Sequence, residues 1–537
     1  MKRFFKILLL VVVIFVIFCA YIFFVPHGGA RRELAKYKKQ LIAQGEKLDL
    51  VSLGAAHKPD AINRAKEFLA ISGMWRITNS WDFDPAMKMV DSGRAAVGHT
   101  NIDAKWMATY ETNKIFAARL RGIFPGARLD FGLDYSKGAA LLLPHLVQFK
   151  LLSQQLSITA MQALHENDLE EANHNLIAGA DLMRLWDDEP FLISALVRNA
   201  CLRISISAAW EGLQHGGWTD AQLAALQSAW ERIDLINSMA TALYGERALG
   251  SDVMTQARKV KSVDDLSAFG SSGGTGPANL ADWINRFLVS PKAVLHDTYE
   301  RYPRFWSWKS KWSFEEELCG LQLATAAVNA SRHMQTNGIF VPVFNELAIQ
   351  SSNILKLHAR ARDRFMLLNE QSGFLYDSST LDVDQNAMRK IAGVETARRL
   401  LITAIALKRY HLRHAAWPDK LEQLVPDFLA QVPIDFMDGK PLRYRLLPTG
   451  LLEYPFRLYS VGVDGKDDGG VGVMPSSGSN APPPIIMPGR LPSIDWTATR
   501  DIVWPQPTRF EEYRLYIANL IRSATNAPNK TLPPPAK

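Results

Sequence analysis

The sequence predicts a mainly α-helical protein with an N-terminal transmembrane helix, an irregular multi-helix body of bundle or solenoid type, and a small C-terminal α+β module. Three observations indicate this fold class. A long uncharged apolar run lies near the N-terminus, apolar residues recur every three or four positions from residue 31 to 373, and short strand and turn patterns replace them after residue 380. The predicted units are residues 1–30, 31–375 with a subdivision near 262–278, 380–470 and 471–537.

Length, charge and cysteine content narrow the class of protein. The 537 residues support several units with sizeable cores, and the 3 cysteines are too few for a disulfide framework. The net charge of +7 is concentrated in residues 1–40, where eight basic side chains face one acidic side chain. The rest of the chain is balanced in charge. This argues against the basic groove that nucleic-acid binding requires, so nucleic acid is not a predicted partner.

The apolar run at residues 7–25 has 19 residues and no charged side chain. A helix of this length is about 28 Å long, close to the thickness of the hydrocarbon core of a bilayer. We therefore predict an uncleaved signal anchor that crosses the membrane once. The alternative is a cleaved signal peptide, for which Gly28, Gly29 and Ala30 offer small residues to a peptidase. The apolar region of such a peptide is normally shorter, about 7–15 residues.

The basic residues on the two sides of this run give opposing indications of orientation. Three precede the run and five follow it, which favours a body in the cytoplasm. However, Lys2, Arg3 and Lys6 have the form of a signal n-region, and long domains are translocated largely regardless of charge. We predict an extracytoplasmic body, and a cytoplasm-facing membrane adaptor is the alternative topology.

Helical periodicity and capping residues divide the body into about a dozen helices. The principal predicted segments are 31–48, 60–72, 102–123, 135–166, 168–186, 190–213, 219–233, 237–261, 280–288, 313–335 and 343–373. Capping boxes are predicted to begin two of these helices, Thr219 with Gln222 and Ser313 with Glu316. The Gly- and Ser-rich residues 268–276 predict an internal linker.

The C-terminal part combines one long helix with short strands. Apolar positions predict an amphipathic helix at 386–413, which ends before Trp417 and Pro418. Predicted strands are 442–446, 453–461 and 501–504, joined by a turn at Asp438-Gly439 and by an acidic turn. Residues 471–497 are rich in Pro, Ser and Gly and predict an exposed excursion, and a terminal helix is predicted at 509–524.

Residues 397–470 resemble the globular half of the type II secretion major pseudopilin. The similarity consists of ARRLLITAIALKRYHLRHAAWPDKLEQLVP, then DGKPLRYRLL, then LYSVGVDGKDDGG, in that order. In that family the helix continues into the N-terminal membrane segment, whereas a long helical body intervenes here. The whole chain, including EPFLISALVR and DIVWP, also resembles uncharacterised membrane-anchored bacterial proteins with the same ending. These resemblances imply a bacterial inner-membrane location and an envelope or secretion-related protein partner.

The acidic turn is the candidate metal site. Asp464, Asp467 and Asp468 place three carboxylates within five residues between glycines, an arrangement that suits a hard cation such as Ca²⁺. The resemblance to pseudopilins implies calcium in the corresponding loop. From the residues alone, a solvated hairpin turn is the alternative, because the twelve-residue EF-hand pattern is absent and Lys466 opposes the acidic charge.

An aromatic and basic segment at 299–314 is the candidate binding patch. Its central residues are Tyr302, Trp306, Trp308 and Trp312. Such rings can stack on glycans, lie at a membrane interface or contact a protein partner. The alternative interpretation is that the rings pack between helices while the neighbouring cations reach water.

The sequence assigns no catalytic or cofactor-binding residue. No Walker A, GxSxG or CxxC motif is present, and Asp187, Asp188 and Glu189 are interpreted as acids that favour the N-terminus of the next helix. We therefore predict a single-pass, non-enzymatic envelope scaffold or interaction protein with a pseudopilin-like module. The alternative is an extracytoplasmic, glycan-directed hydrolase with an aromatic-lined helical cleft, whose carboxyl pairs would converge beside Trp306 or Trp308.

Overall fold

A computed structural model of the protein describes residues 28–54, 57–78, 107–124, 128–262, 265, 289–290, 305–363, 378–447, 455–470 and 501–504. Over these residues the protein is mainly helical, with a small three-stranded antiparallel sheet, as predicted. Several predicted features lie outside the described residues, namely the membrane span at 7–25, the linker at 268–276, Tyr302, the excursion at 471–497 and the terminal helix.

The helices and strands are as follows in chain order. The helices are α1 (Gly28–Ala43), α2 (Leu50–Leu53), α3 (Pro59–Thr78), α4 (Tyr110–Ile123), α5 (His145–His165), α6 (Leu169–Asp181), α7 (Leu192–Gln214), α8 (Asp220–Glu231), α9 (Leu235–Ala257), α10 (Phe305–Ser307), α11 (Ser313–Asn337), α12 (Val341–Asp363) and α13 (Ser378–His414). The 3₁₀ turns are Tyr135–Ala140, Leu182–Trp186 and Leu421–Leu424, and Trp308–Trp312 forms a π-helical turn. The strands are β1 (Arg443–Leu446), β2 (Phe456–Ser460) and β3 (Ile502–Trp504).

The two predicted capping boxes have different outcomes. The box of Thr219 and Gln222 is confirmed, and it begins α8. The prediction for Ser313 is wrong, because the π turn leads directly into α11 and leaves no free helix end at this position. The Ser313 hydroxyl instead donates to the Lys309 carbonyl at 3.2 Å and accepts from Arg258 Nε at 3.0 Å.

One hydrophobic core joins most of the described chain and extends from Ala65 to Trp504. Helix α7 lies at its centre and packs against α5, α9 and α13. It is long and apolar enough to cross a membrane, but most of it is buried inside the protein, as expected for a core helix. Its composition therefore reflects burial on several sides rather than contact with lipid.

A close approach between α9 and the segment before α7 depends on one glycine. A Cβ atom at Gly245 would lie 1.6 Å from the carbonyl oxygen of Pro190. No rotamer change can relieve a clash with a backbone atom, so only glycine permits this contact. The contact between Gly245 and Pro190 holds the segment 187–189, which directly precedes Pro190, against α9.

The sheet has the order β1-β2-β3 with both pairings antiparallel. Tyr444 pairs with Leu458, which in turn pairs with Trp504, so the predicted return strand is confirmed. The indole of Trp504 contacts that of Trp210 on α7 edge to face, with ring centroids 4.4 Å apart. The last described strand therefore packs directly on the central helix.

The C-terminal module and the helical body share this core rather than meeting through a small interface. Helix α13 packs along α7 and α8, and Arg398 donates to the Trp230 carbonyl at 2.7 Å. Two backbone bonds add to the junction, from Phe340 N to Phe436 O at 2.7 Å and from Val341 N to Met437 O at 2.9 Å. The module is thus held by side-chain packing and by backbone pairing.

Candidate functional site

A cleft of about 650 Å³ opens between α4, α6, the 3₁₀ turn before residue 187 and the end of α8. We call it the arginine cleft. It is lined by Arg121, Phe124, Arg128, His174, Ile177, Ala178, Asp181, Arg184, Leu185, Asp187 and Arg232. Its volume is in the range of small-molecule sites, which is about 300–1,000 Å³. Four arginines and two aspartates line the cleft, and Glu171 and Asp188, which pair with Arg121 and Arg128, bring the nearby carboxylates to four.

The floor of the arginine cleft is apolar and rigid. Ala178 and Leu185 are buried, and Phe124 and Ile177 are half-buried beside them. Ile177 and Ala178 lie on α6, and Leu185 lies on the 3₁₀ turn that follows α6. The floor is therefore formed by elements that belong to the main core, so it is present before any ligand binds.

Arg121 forms the wall on α4 and is held in place by hydrogen bonds. Its Nη1 and Nη2 atoms contact the two oxygens of Glu171 at 2.8 and 3.0 Å, and Nη1 also donates to Asn175 at 2.9 Å. The amide of Asn175 donates back to Glu171 at 2.9 Å. This bidentate arrangement orients the guanidinium and leaves its charge largely compensated.

Two further arginines meet at a single carboxylate oxygen. Arg232 Nη2 lies 2.9 Å from Asp181 Oδ1, and Arg184 Nη1 lies 3.5 Å from the same oxygen. The side chains of Arg184 and Arg232 are 46% and 42% exposed. One negative charge thus serves two guanidiniums, and the described contacts use one nitrogen of Arg184 and two nitrogens of Arg232.

Arg128 closes the cleft on the side of the acidic run. Its Nη1 lies 2.5 Å from Asp188 and its Nη2 lies 3.4 Å from Asp187. Burial raises the pKa of the Asp187 carboxyl, although Arg128 and the buried Arg198 lower it. The acids therefore compensate arginines. This corrects the sequence interpretation for Asp187 and Asp188, because the first turn of α7 contains no acid and its Leu192 N–H bonds to Glu246, whereas the Glu189 carboxylate does contact this turn through Ser194.

Behind Arg128, Glu189 is buried with a histidine and a serine. His145 Nε2 lies 2.7 Å from one Glu189 oxygen, at ion-pair distance but without hydrogen-bond geometry, and the Ser194 hydroxyl donates to the other oxygen. Phe131 stacks on the imidazole with centroids 4.2 Å apart. The carboxylate lies between serine and histidine, so this is not the serine–histidine contact that activates a nucleophile.

The three predicted metal ligands follow β2, and the carboxylates of Asp464 and Asp467 accept hydrogen bonds from the protein itself. Asp464 accepts from Lys466 N at 3.1 Å, and Asp467 accepts from Gly469 N at 2.9 Å. The N–H of Asp468 donates to Asp501 at 3.3 Å. Over the part of the chain that the structure describes, no group of three or more His, Cys, Asp or Glu side chains is arranged to hold a metal ion.

Asp501 is the residue of this turn that the sequence did not single out. Its buried carboxylate accepts from Gly470 N at 2.7 Å as well as from Asp468 N, and so it closes the acidic turn onto β3. Burial raises the pKa of Asp501 to about 6, against the lowering effect of these two hydrogen bonds. In the sequence, the position of Asp501 is indicated only by the predicted strand DIVW, of which it is the first residue.

The predicted aromatic patch is divided between the core and the surface. Trp308 is buried with Phe305 against Met254 and donates to Glu316 at 2.5 Å. Trp312 packs at the edge of the same cluster, and Trp306 is 59% exposed. The rings that the sequence grouped together therefore do not form one patch. Trp308 and Trp312 pack in the cluster beside α9, whereas Trp306 is exposed to solvent.

Sequence reasoning did not predict the arginine cleft. Arg121 and Arg128, Arg184, and Arg232 lie in three separate stretches of the chain, and none forms part of a motif. The one local signal is the spacing of Asp181 and Arg184, which places them on the same side of a helical turn.

Comparisons with protein-family models, with curated proteins and with solved structures each find no match. The similarity of residues 397–470 to pseudopilins therefore stays a prediction that rests on the order of short sequence motifs.

Proposed function

We propose that this protein is a single-pass, membrane-anchored and non-enzymatic interaction protein of the bacterial inner membrane. Its body lies outside the cytoplasm and presents the pseudopilin-like module to envelope or secretion machinery. The apolar run at 7–25, the basic residues beside it and the motifs at 397–470 support this proposal.

The observation that carries the proposal is the position of α13. In the family that this region resembles, the equivalent helix continues into the membrane segment. Here Ile391, Leu400, Leu401 and Leu407 are buried along it, and α13 packs on α7 and α8. The apolar side of this helix is therefore occupied by the body and is not available for assembly with other subunits. The module therefore acts as a fixed part of a scaffold rather than as a subunit of a filament.

The packing of α1 supports the link between anchor and body. Only two residues separate the predicted span from α1, whose Leu34 and Leu41 pack against Leu318 and Leu321 of α11. Lys38 on the same face pairs with the buried Glu317. The anchor is thus followed directly by a helix that belongs to the body, and the body is expected to stand at a defined height above the bilayer.

The test is the compartment of the C-terminus. Alkaline phosphatase and green fluorescent protein are fused separately after Lys537 and expressed in a bacterial host. We expect an active phosphatase, no fluorescence, and a protein that stays in the membrane fraction after alkaline carbonate washing. The matched control carries Val13→Arg and Val16→Arg, each of which costs about 2.5–3.5 kcal/mol at the centre of a span and should abolish membrane retention.

Fluorescence with an inactive phosphatase would overturn the envelope assignment, because the body would then face the cytoplasm. A soluble product that has lost residues 1–30 would instead establish a cleaved signal peptide and remove the anchor from the proposal.

A further inference from the structure

We infer that the arginine cleft binds a small amphiphilic anion, with a phosphate or carboxylate head on Arg184 and Arg232 and a short apolar chain on the floor. This inference concerns a site distant in sequence from the pseudopilin-like module and does not depend on the proposed membrane role. The argument rests on the hydrogen-bond donors and the apolar floor of the cleft.

The available donors are the first step. Arg184 makes no described contact besides its ion pair with Asp181 at 3.5 Å, which is longer than a good charged hydrogen bond. Arg232 donates to Asp181 at 2.9 Å and to the Ser228 hydroxyl at 3.3 Å. Each guanidinium has five N–H donors in a planar fork that matches the spacing of oxygens in a phosphate or a carboxylate. An incoming oxyanion can therefore bridge both arginines without breaking an internal hydrogen-bond network.

The rest of the lining keeps the head group in one place. Arg121 and Arg128 stand on the opposite walls, and each is already compensated by its own carboxylates. They therefore offer an incoming anion fewer free donors than Arg184 and Arg232 do. The half-exposed His174 lies beside them and gives a further donor from α6. The strongest attraction for an anion is consequently expected near Arg184 and Arg232.

The floor determines the other half of the ligand. Phe124, Ile177, Ala178 and Leu185 form an apolar surface in contact with the cleft volume. A chain of several CH₂ groups that covers this surface gains about fourfold in affinity for each buried CH₂ group. The cleft therefore favours an anion with an apolar chain over inorganic phosphate.

The experiment is calorimetric titration of the full-length protein in uncharged detergent micelles. The probes are hexyl phosphate, hexanoate, inorganic phosphate and hexanol. We expect hexyl phosphate or hexanoate to bind, and hexanol, which has no anionic head, to give no heat. Inorganic phosphate should bind at least about tenfold more weakly than hexyl phosphate, since two or more buried CH₂ groups are worth about 1.4 kcal/mol or more.

The discriminating variants are Arg184→Gln and its matched control Arg413→Gln. Both side chains are 46% exposed, and each is one of two arginines on a single aspartate. Loss of a charged hydrogen bond should weaken hexyl phosphate binding by about tenfold or more in Arg184→Gln, and binding should be unchanged in Arg413→Gln. Equal weakening in both variants, equal affinity for inorganic and hexyl phosphate, or no binding of either organic anion would overturn the inference.

Repeating the titration in nanodiscs separates two sources of the same chemistry. Discs of phosphatidylcholine alone are compared with discs that also contain phosphatidylglycerol. If phosphatidylglycerol competes with hexyl phosphate, and does so less in Arg184→Gln, the ligand is a lipid head group. If hexyl phosphate binds equally in both discs, the ligand is a soluble molecule.

Discussion

Two aspartates of this protein each pair with two arginines, but the two sites differ in the geometry of the contacts and in their position in the fold. At Asp220 each carboxylate oxygen takes one partner, Arg409 at 2.8 Å and Arg413 at 3.1 Å. At Asp181 both arginines meet the same oxygen. The first site joins α8 to α13, whereas the second lies in the wall of the arginine cleft.

The surroundings of the arginines explain the difference. Arg409 also donates to Gln227 at 3.0 Å, and both Arg409 and Arg413 lie over the ring of Phe428. Their charge and their planar faces are therefore used inside the protein. The arginines at Asp181 have no aromatic ring over them among the described residues. An ion pair alone therefore does not indicate a binding site. The number of guanidinium donors without a partner in the protein is a better indication that an arginine can bind a ligand.

The largest expected effect comes from breaking a buried pair at the α13 interface. Burial alone would raise the pKa of Glu395, but Arg398 and Arg399 lower it overall, so its contribution to stability is present above the unfolded pKa and lost as the pH falls. Glu395→Gln leaves two cations without their charge partner and should reduce the free energy of unfolding at pH 7 by about 3–5 kcal/mol, measured by urea denaturation.

The matched variant is Glu171→Gln at the wall of the cleft. Glu171 pairs with Arg121, which keeps its bond to Asn175 and is closer to water. The loss should therefore be clearly smaller than for Glu395→Gln. Equal losses of unfolding free energy in the two variants would mean that water is excluded equally from the α13 interface and from the cleft wall. The expected difference between the two regions would then be wrong.

A smaller effect should distinguish the two shared aspartates. The hydrogen bond from Arg409 is the main reason why the pKa of Asp220 is lowered, and the residue also lies in the first turn of α8. Asp220→Asn should cost about 1 kcal/mol of stability, as is usual for a partly exposed pair. Asp181→Asn should cost less and should tighten hexyl phosphate binding, because it removes the carboxylate that competes for Arg184 and Arg232.

Thermal melting and the same calorimetric titration measure these two outcomes. Weaker anion binding in Asp181→Asn would indicate that this carboxylate orients the arginines rather than competing with the ligand.

The smallest expected effect is a change of slope with pH at the acidic turn. Burial raises the pKa of Asp501 to about 6, so the folded state holds a proton that the unfolded state has already released near pH 4. The contribution of this carboxyl is fully present below its unfolded pKa and is lost as the pH rises through about 6. Asp501→Asn should flatten the fall of stability between pH 4 and 6 relative to wild type, and an unchanged slope would assign that fall to other groups.

Much of the fold could be predicted because it depends on local patterns. Apolar periodicity located α6, α8 and α13, and Pro, Gly and strand patterns located β1 to β3. The role of Ser313 was missed because helix-capping residues occur inside helices as well, and here the aromatic residues before Ser313 pack on α9 and extend the helical path. Local sequence alone does not determine which of these arrangements is adopted.

The candidate site could be predicted only in part, since its residues meet through tertiary packing. Asp464, Asp467 and Asp468 could be singled out as candidate metal ligands because they are close together in sequence, whereas Asp501, which closes their turn, lies next to another strand. The arginine cleft depends on the packing of α4, α6 and α8, which no spacing in the sequence reveals.

The central position of α7 has a consequence for how the chain is made. Lys408 bonds to the carbonyl of Leu213 across 195 residues, and Gln227 bonds to that of Phe428 across 201 residues. At about 5–20 residues per second, a ribosome needs about 10–40 s to supply the partners that cover this part of the body. During that interval the side of α7 that packs on α13 in the folded protein lacks its partner. Until α13 is synthesised, this apolar side of α7 is therefore open to non-native contacts, and we expect the folded yield to depend on how well it is shielded during that time.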